Sequence, residues 1–461
     1  MIVNLRDTGV MKYTGLVREM NTPAARSAYV ITFGCQQNEA DSEKLRGMLT
    51  DMGYTTAPSP EEADVIIMNT CAVRAHAENK VLSMLGKLRG KKEADPSVII
   101  GVVGCMAAEQ GTVDLLRRAF KYVSFTIEPN MISRLPEVMW RVANSERVFV
   151  IGTDKGDVVE GIPTERAGEH RAWVSVMYGC NNFCSYCIVP YVRGRERSRN
   201  SADVIAECRG LIDGGCREIT LLGQNVNSYS SDTDFAGLLR RITDIPGDYR
   251  VRFMTSHPKD VSDALIDIMA ERGDKIPPYF HLPLQSGSDR ILHEMNRTYN
   301  CEKYLNTVEK LRQKIPGIVI STDIIVGFPG ETEEEFSETL DMLRTVRYDM
   351  VYAFIYSPRE GTRAAKMDCQ IPADVKSERI GRLLRMQDEI SLAKNTEYVG
   401  TVQCVLTDSE KVDGDGRLLS GRTPGNKLVH FRSDTAAPGD FIKIKITRAA
   451  PFNLFGEPAE N

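Results

Sequence analysis

GCNNFCSYC, residues 179–187, places Cys180, Cys184 and Cys187 within nine positions. The spacing is C-x3-C-x2-C, no fourth cysteine follows closely, and neither His257 nor His281 stands at finger spacing. A structural zinc site ordinarily takes four protein ligands. A [4Fe–4S] cluster also wants four. Three thiolates therefore leave one iron open to an outside ligand. The stretch closes the segment AWVSVMYGC, which reads as a strand. Working downstream, EITLLGQNV, YRVRFMTSH, YFHLPLQSG, IVISTDIIVGFPG and DMVYAFIYSP read the same way, with helical patterns such as SADVIAECRGLIDGG between them. Six βα units fit a barrel of the TIM type, complete or partial, with chemistry at the carboxyl ends of its strands. Those ends carry Cys180, Gln224, Asn225, Ser256, His257, Gln285, Ser286, Asp323, Tyr356 and Arg359.

Upstream, AYVITFGC, ADVIIMNTC and SVIIGVVGC are apolar runs alternating with amphipathic helices, and each ends in a cysteine: Cys35, Cys71 and Cys105. In an open parallel sheet the carboxyl ends of neighbouring strands line one crevice. Cysteine is also a common small core residue, but three strand ends in a row point to a shared site. The fold class expected is α/β. A parallel α/β domain spans 28–145 and a partial (βα)6 barrel spans 171–394. A small antiparallel β-barrel spans 395–457, where short β segments are broken by Gly, Pro and Asp. Residues 1–27 read as a polar, poorly ordered N-terminal extension, and 146–170, rich in Gly, Pro and charge, as a linker.

The 461 residues carry a formal net charge of -5, which excludes a uniformly basic nucleic-acid coat but not a local patch. No apolar run approaches a membrane span, and the N-terminus has no signal-peptide pattern. The expected address is the cytoplasm, with no membrane partner. Eleven cysteines in a reducing compartment point to metal or redox chemistry rather than a disulfide framework. Cys208, Cys216, Cys301, Cys369 and Cys404 lack ligand spacing and read as core. His257 and His281 read as structural. RGRERSR places Arg193, Arg195, Arg197 and Arg199 in alternation beside the three-cysteine loop. Arginine suits phosphate and base contacts, so the four are candidate RNA contacts. Lys411, Arg422, Lys427 and Arg432 are a weaker second set. Two other classes remain at this point: an iron–sulfur electron carrier, which has no need of a six-unit barrel, and a zinc-stabilised RNA-binding protein.

C-x3-C-x2-C with an aromatic before its last cysteine, on the first βα loop of a partial barrel, resembles the radical S-adenosylmethionine (SAM) enzymes. The resemblance implies that SAM chelates the open iron and is cleaved to a 5′-deoxyadenosyl radical, chemistry that belongs to the cofactor. It implies SAM contacts at Tyr186, Gly223, Gln224, Gln285, Ser286, Asp323 and Gly327. Gln224 departs from the usual Glu of the second-strand motif. The whole arrangement resembles the radical SAM methylthiotransferases, whose small β-barrel is called TRAM. That implies a second, auxiliary [4Fe–4S] cluster on Cys35, Cys71 and Cys105, two SAM molecules per cycle, and sulfur delivered from the auxiliary site. FGCQQN, NTCAVR, HLPLQSGS and YSPREGT look most like the branch that methylthiolates C2 of N6-isopentenyl adenosine beside the tRNA anticodon. The alternatives are N6-threonylcarbamoyladenosine in tRNA and an aspartate of a ribosomal protein. The implied partners are tRNA, an electron donor of reductase or flavodoxin type, and an iron–sulfur carrier for cluster repair. A monomer is expected.

Overall fold

The computed structural model describes residues 2–72, 75–150, 152, 156–166, 168–414 and 416–459. Its N-terminal unit is one six-stranded parallel sheet. In spatial order the strands are Thr55–Thr56, Ser27–Phe33, Val65–Thr70, Ile99–Gly104, Phe125–Ile127 and Val148–Val150. Val65–Thr70 and Ile99–Gly104 are buried at every position, as the unbroken apolar runs require of strands covered on both faces. Leu45, Met48, Val103 and Phe125 pack on one face, and Ile66, Met68, Ile100 and Val102 on the other.

The two flanking segments are structured, contrary to expectation. Ile2–Asn4 pairs in parallel with Val158–Glu160. Helix Met11–Asn21 buries Val17 in the core of the first domain. Its Asn21 amide donates to the Met52 carbonyl at 3.0 Å. The expected linker also supplies Val148–Val150, the last strand of the sheet, registered from Phe125↔Val148 to Ile127↔Val150. Short strands with distant partners leave almost no local pattern to read.

The six barrel strands occur where the periodicity puts them. Arg171–Ser175, Glu218–Leu222 and Arg250–Phe253 form one parallel set; Tyr279–His281, Val319–Val326 and Met350–Ile355 form a second. One apolar core runs through both, from Val174 to Ile219, Phe280 and Ile320. The long helix Ala373–Thr396 then leads into a closed five-stranded barrel. Its neighbours are antiparallel except Leu428–Arg432 and Asn453–Pro458, which run parallel. This small barrel docks on the amino ends of the larger barrel's strands. Arg252 donates to the carbonyls of Thr423 and Pro424 at 3.0 and 2.9 Å. Buried Glu218 receives Arg252 at 2.6 Å and Arg171 as well. Among the described residues no helix is long and apolar enough to cross a membrane.

Candidate active site between two cysteine trios

The first trio is a product of strand register. Phe33 stands opposite Thr70, and Thr70 opposite Gly104, so the residues just beyond the three strands are neighbours by construction. Cys71 and Cys105 are buried, while Cys35 is exposed. Cys35 is also the N-cap of helix Gln36–Asp51. Its thiol donates to Asn38 Oδ1 at 3.2 Å. Asn38 in turn donates to Asn69 Oδ1 and the Thr70 carbonyl, both at 3.0 Å. A hydrogen bond with Cys71 lowers the Cys35 pKa to about 6; burial opposes this, and Arg193 and the backbone of Asn38 and Gln37 assist. A thiol at a helix N-terminus beside a cation is the kind that ionises readily. Burial pushes the Cys105 thiol up, with Arg193 opposing.

The second trio is a product of loop geometry. Gly179 adopts φ +78°, and an added Cβ would strike the Arg195 carbonyl. Phe183 is left-handed at φ 46°, a conformation that costs energy without glycine. Residues outside the loop hold it. The Asn296 amide donates to the carbonyls of Asn182 and Phe183 at 3.1 and 3.0 Å. Arg297, itself buried, donates to Cys184 Sγ at 3.3 Å and to the Pro283 carbonyl at 3.1 Å. Burial raises Cys180 to about 11 and Cys187 to about 12.

The two trios share a wall. Cys105 packs with Ala72 against Ile188 and Val192, residues just past Cys187. Among the described residues no three His, Cys, Asp or Glu side chains converge tightly enough for a single metal ion. Each trio is instead an open set of neighbouring thiols, and a cubane holds its thiolates farther apart than one ion does. The polar surroundings also leave capacity: among the described residues Asn182 Oδ1, Asn225 Oδ1, Ser256 Oγ and both amide atoms of Asn227 have no hydrogen-bond partner. Buried groups of this kind are ordinarily satisfied, so these fit a polar ligand at the strand ends.

Most of the expected SAM contacts gather there. Tyr186 is half-buried against Ile291, Met295 and Phe328. Gln224 Oε1 accepts the Gly179 N–H, tying the second strand to the cysteine loop. Thr255 Oγ1 donates to the Gly223 carbonyl. Gln285 is buried and left-handed at φ 75°, and Ser286 is buried beside it. Gly327 has φ +72°, and a Cβ there would meet Lys376. Its N–H donates to Glu331 Oε2 at 2.9 Å. Burial raises the Glu331 carboxyl to about 7, against that N–H and Arg379. Asp323 departs from expectation. It lies within Val319–Val326 rather than beyond its end, and faces His281 Nε2 at 3.6 Å.

The arginine series divides. Arg193 and Arg199 are buried. Arg199 pairs with Glu160 and Glu207, each at 2.7 Å, and Arg193 with Asp41 at 2.8 Å. Burial with these partners removes both from an RNA-facing surface. Arg197 is half-buried and donates to Asn130 Oδ1 at 2.8 Å. Arg195 is exposed, its guanidinium 4.2 Å from the Phe183 ring. In the small barrel, Lys427 is likewise buried and pairs with Asp349 at 3.1 Å. Cys208 and Cys216 are buried as expected, whereas Cys369 and Cys404 are exposed. His257 is buried and accepts the Lys259 N–H at 3.2 Å. Burial lowers its pKa to about 2, so the ring is neutral.

Family models match three regions: one described as Radical SAM superfamily at residues 174–343, one as Uncharacterized protein family UPF0004 at 27–127, and one as TRAM domain at 396–459. The tRNA-2-methylthio-N(6)-dimethylallyladenosine synthase of Clostridium perfringens is 48% identical over 436 residues, 94% of this chain and 97% of the relative. That of Carboxydothermus hydrogenoformans is 48% identical over 438 residues, 94% and 99% of the two chains. Among solved structures, the radical S-adenosylmethionine methyltransferase TsrM from Kitasatospora setae aligns with a TM-score of 0.55 at 14% identity, covering 74% of this chain and 77% of that one. That likeness concerns the fold alone.

Proposed function

This chain belongs to the tRNA-2-methylthio-N(6)-dimethylallyladenosine synthase family, and we propose how its two cysteine trios divide that work. It is a radical SAM methylthiotransferase acting on tRNA, with an iron–sulfur cluster and SAM as cofactors. Cys180, Cys184 and Cys187 hold the [4Fe–4S] cluster that binds SAM, and Cys35, Cys71 and Cys105 hold a second. Together these groups supply the electron that cleaves SAM to a hydrogen-abstracting radical, and the sulfur that is transferred. The substrate is an N6-isopentenyl adenosine beside the anticodon.

The protein's share is placement. Asn296 and Arg297 fix the SAM loop. The left-handed Gln285 and the Gly327 turn bring backbone close to the strand ends, where Asn225, Asn227 and Ser256 offer unpaired polar atoms. Ile188 and Val192 pack against Cys105. Arg195, exposed on the rim over Phe183, is positioned for a phosphate or a stacked base. The observation that carries this reading is the shared wall, because sulfur transfer needs the radical and the sulfur source at one substrate carbon.

The test is mass spectrometry of tRNA nucleosides from a strain lacking the gene, beside its parent. Loss of 2-methylthio-N6-isopentenyladenosine with accumulation of the unmethylthiolated nucleoside is expected. An unchanged level of that nucleoside overturns the assignment. Loss of the threonylcarbamoyl analogue, or of methylthioaspartate in a ribosomal protein, would replace it.

A further inference from the structure

Arg193 belongs by sequence to the radical SAM loop, six positions after Cys187. Its backbone N–H donates to the Val189 carbonyl at 2.8 Å and closes the short helix Val189–Val192. Its side chain then leaves the barrel and enters the first domain, where it is 5% exposed. Nη2 donates to Asp41 Oδ2 at 2.8 Å. Asp41 is held on its other oxygen by Gln37 Nε2 at 3.1 Å, and the same Gln37 nitrogen reaches Ser175 Oγ at 2.8 Å. Both carboxylate oxygens are thereby engaged. Val192, the residue before Arg193, packs with Cys105, and the guanidinium lies within hydrogen-bonding reach of the Cys105 thiol.

Arg193 and Asp41 form a buried ion pair between the cysteine loop and the first domain, and the pair lies against cysteines that must shed protons to bind iron. Thiolates in a low-dielectric setting need a compensating cation. Arginine supplies one that cannot be titrated away, and Asp41 moderates its field.

We infer that Arg193 is a positioning residue which supplies the counter-charge of the Cys35–Cys71–Cys105 site, and that the Arg193–Asp41 pair sets how readily that site accepts an electron. The inference rests on the proposed second cluster. It differs in kind from a bolt between domains, because it demands opposite effects from the two partners. Removing the cation disfavours the reduced, more negative state; removing the anion favours it.

The experiment uses the full chain with Cys180, Cys184 and Cys187 changed to alanine, reconstituted anaerobically with iron and sulfide, so that only one cluster contributes. The potential is read by an EPR-monitored redox titration. Arg193→Gln is expected to lower it, Asp41→Asn to raise it, and Arg193→Lys to restore most of the loss. The double variant Arg193→Gln/Asp41→Asn keeps the pair neutral and is expected between the two single variants. Shifts of the same sign, or none, with iron content unchanged overturn the counter-charge role. A parent background that binds no iron removes the second cluster, and the inference with it. If Arg193→Gln alone loses iron, the comparison of Asp41→Asn and the double variant with the parent decides the sign.

Discussion

Cys35, Cys71 and Cys105 stand on three neighbouring strands, brought together by the register of a sheet whose parts are far apart in sequence. Cys180, Cys184 and Cys187 stand on one loop, shaped by left-handed residues and by clamps from outside such as Gln224, Asn296 and Arg297. The difference teaches where each site's precision comes from. The first depends on the packing of a whole domain, the second on a few local contacts. It also separates their chemistry. The sheet-built trio exposes one acidic thiol at a helix N-terminus, whereas burial raises Cys180 and Cys187 in the loop-built trio. Each trio has its own buried arginine: Arg193 for the first and Arg297 for the second.

The most drastic way to break the comparison is to remove the proposed cluster ligands. Alanine at Cys180, Cys184 or Cys187 is expected to abolish 5′-deoxyadenosine formation. Changing Cys35, Cys71 and Cys105 together is expected to leave SAM cleavage and stop sulfur insertion. Methylthio product from that triple variant would sink the auxiliary role.

A smaller perturbation uses the dependence on packing. Phe125 is fully buried against Gly101 in the sheet that aligns the first trio. Phe125→Ala should cost about 3–5 kcal/mol. Iron content and thermal unfolding are expected to show loss at the Cys35–Cys71–Cys105 site before the barrel site. Equal loss at both would mean that the two sites do not depend on packing differently.

The subtlest contrast is ionisation. In metal-free protein at pH 7, Cys35, with its pKa lowered to about 6, is mostly thiolate, while Cys187, raised to about 12, is a thiol. Brief alkylation followed by peptide mass spectrometry should label Cys35 first. The preference should fade as pH falls through about 6, where the thiolate is reprotonated. Equal labelling of the two would contradict the electrostatic difference.

Local and periodic features were legible in the sequence. The C-x3-C-x2-C loop is contiguous, and a cysteine at each strand end states its own geometry once the strands are known to be parallel neighbours. The six barrel strands announce themselves by recurrence, as short β segments alternating with helical patterns. Contacts made by polar residues across the fold were not legible. Arg297 is unremarkable in NRTYN, yet it touches Cys184. Asn38 and Asn69 sit inside quoted motifs, but their mutual bond appears only when two strands align. Residues 1–27 and 146–170 look like connecting chain because their strands are three residues long and pair with each other or with a distant sheet edge.

The arginine series marks the boundary most clearly. Arg193, Arg195, Arg197 and Arg199 alternate in one short motif, and as letters they are equivalent. Cysteine spacing, strand periodicity and the order of domains followed from the sequence because each is set by neighbours along the chain. Which arginine faces solvent, which neutralises a buried carboxylate and which stands beside the sulfurs was decided only by the tertiary structure. A charged side chain takes its role from its burial and its partners, and those come from elements far away in the chain.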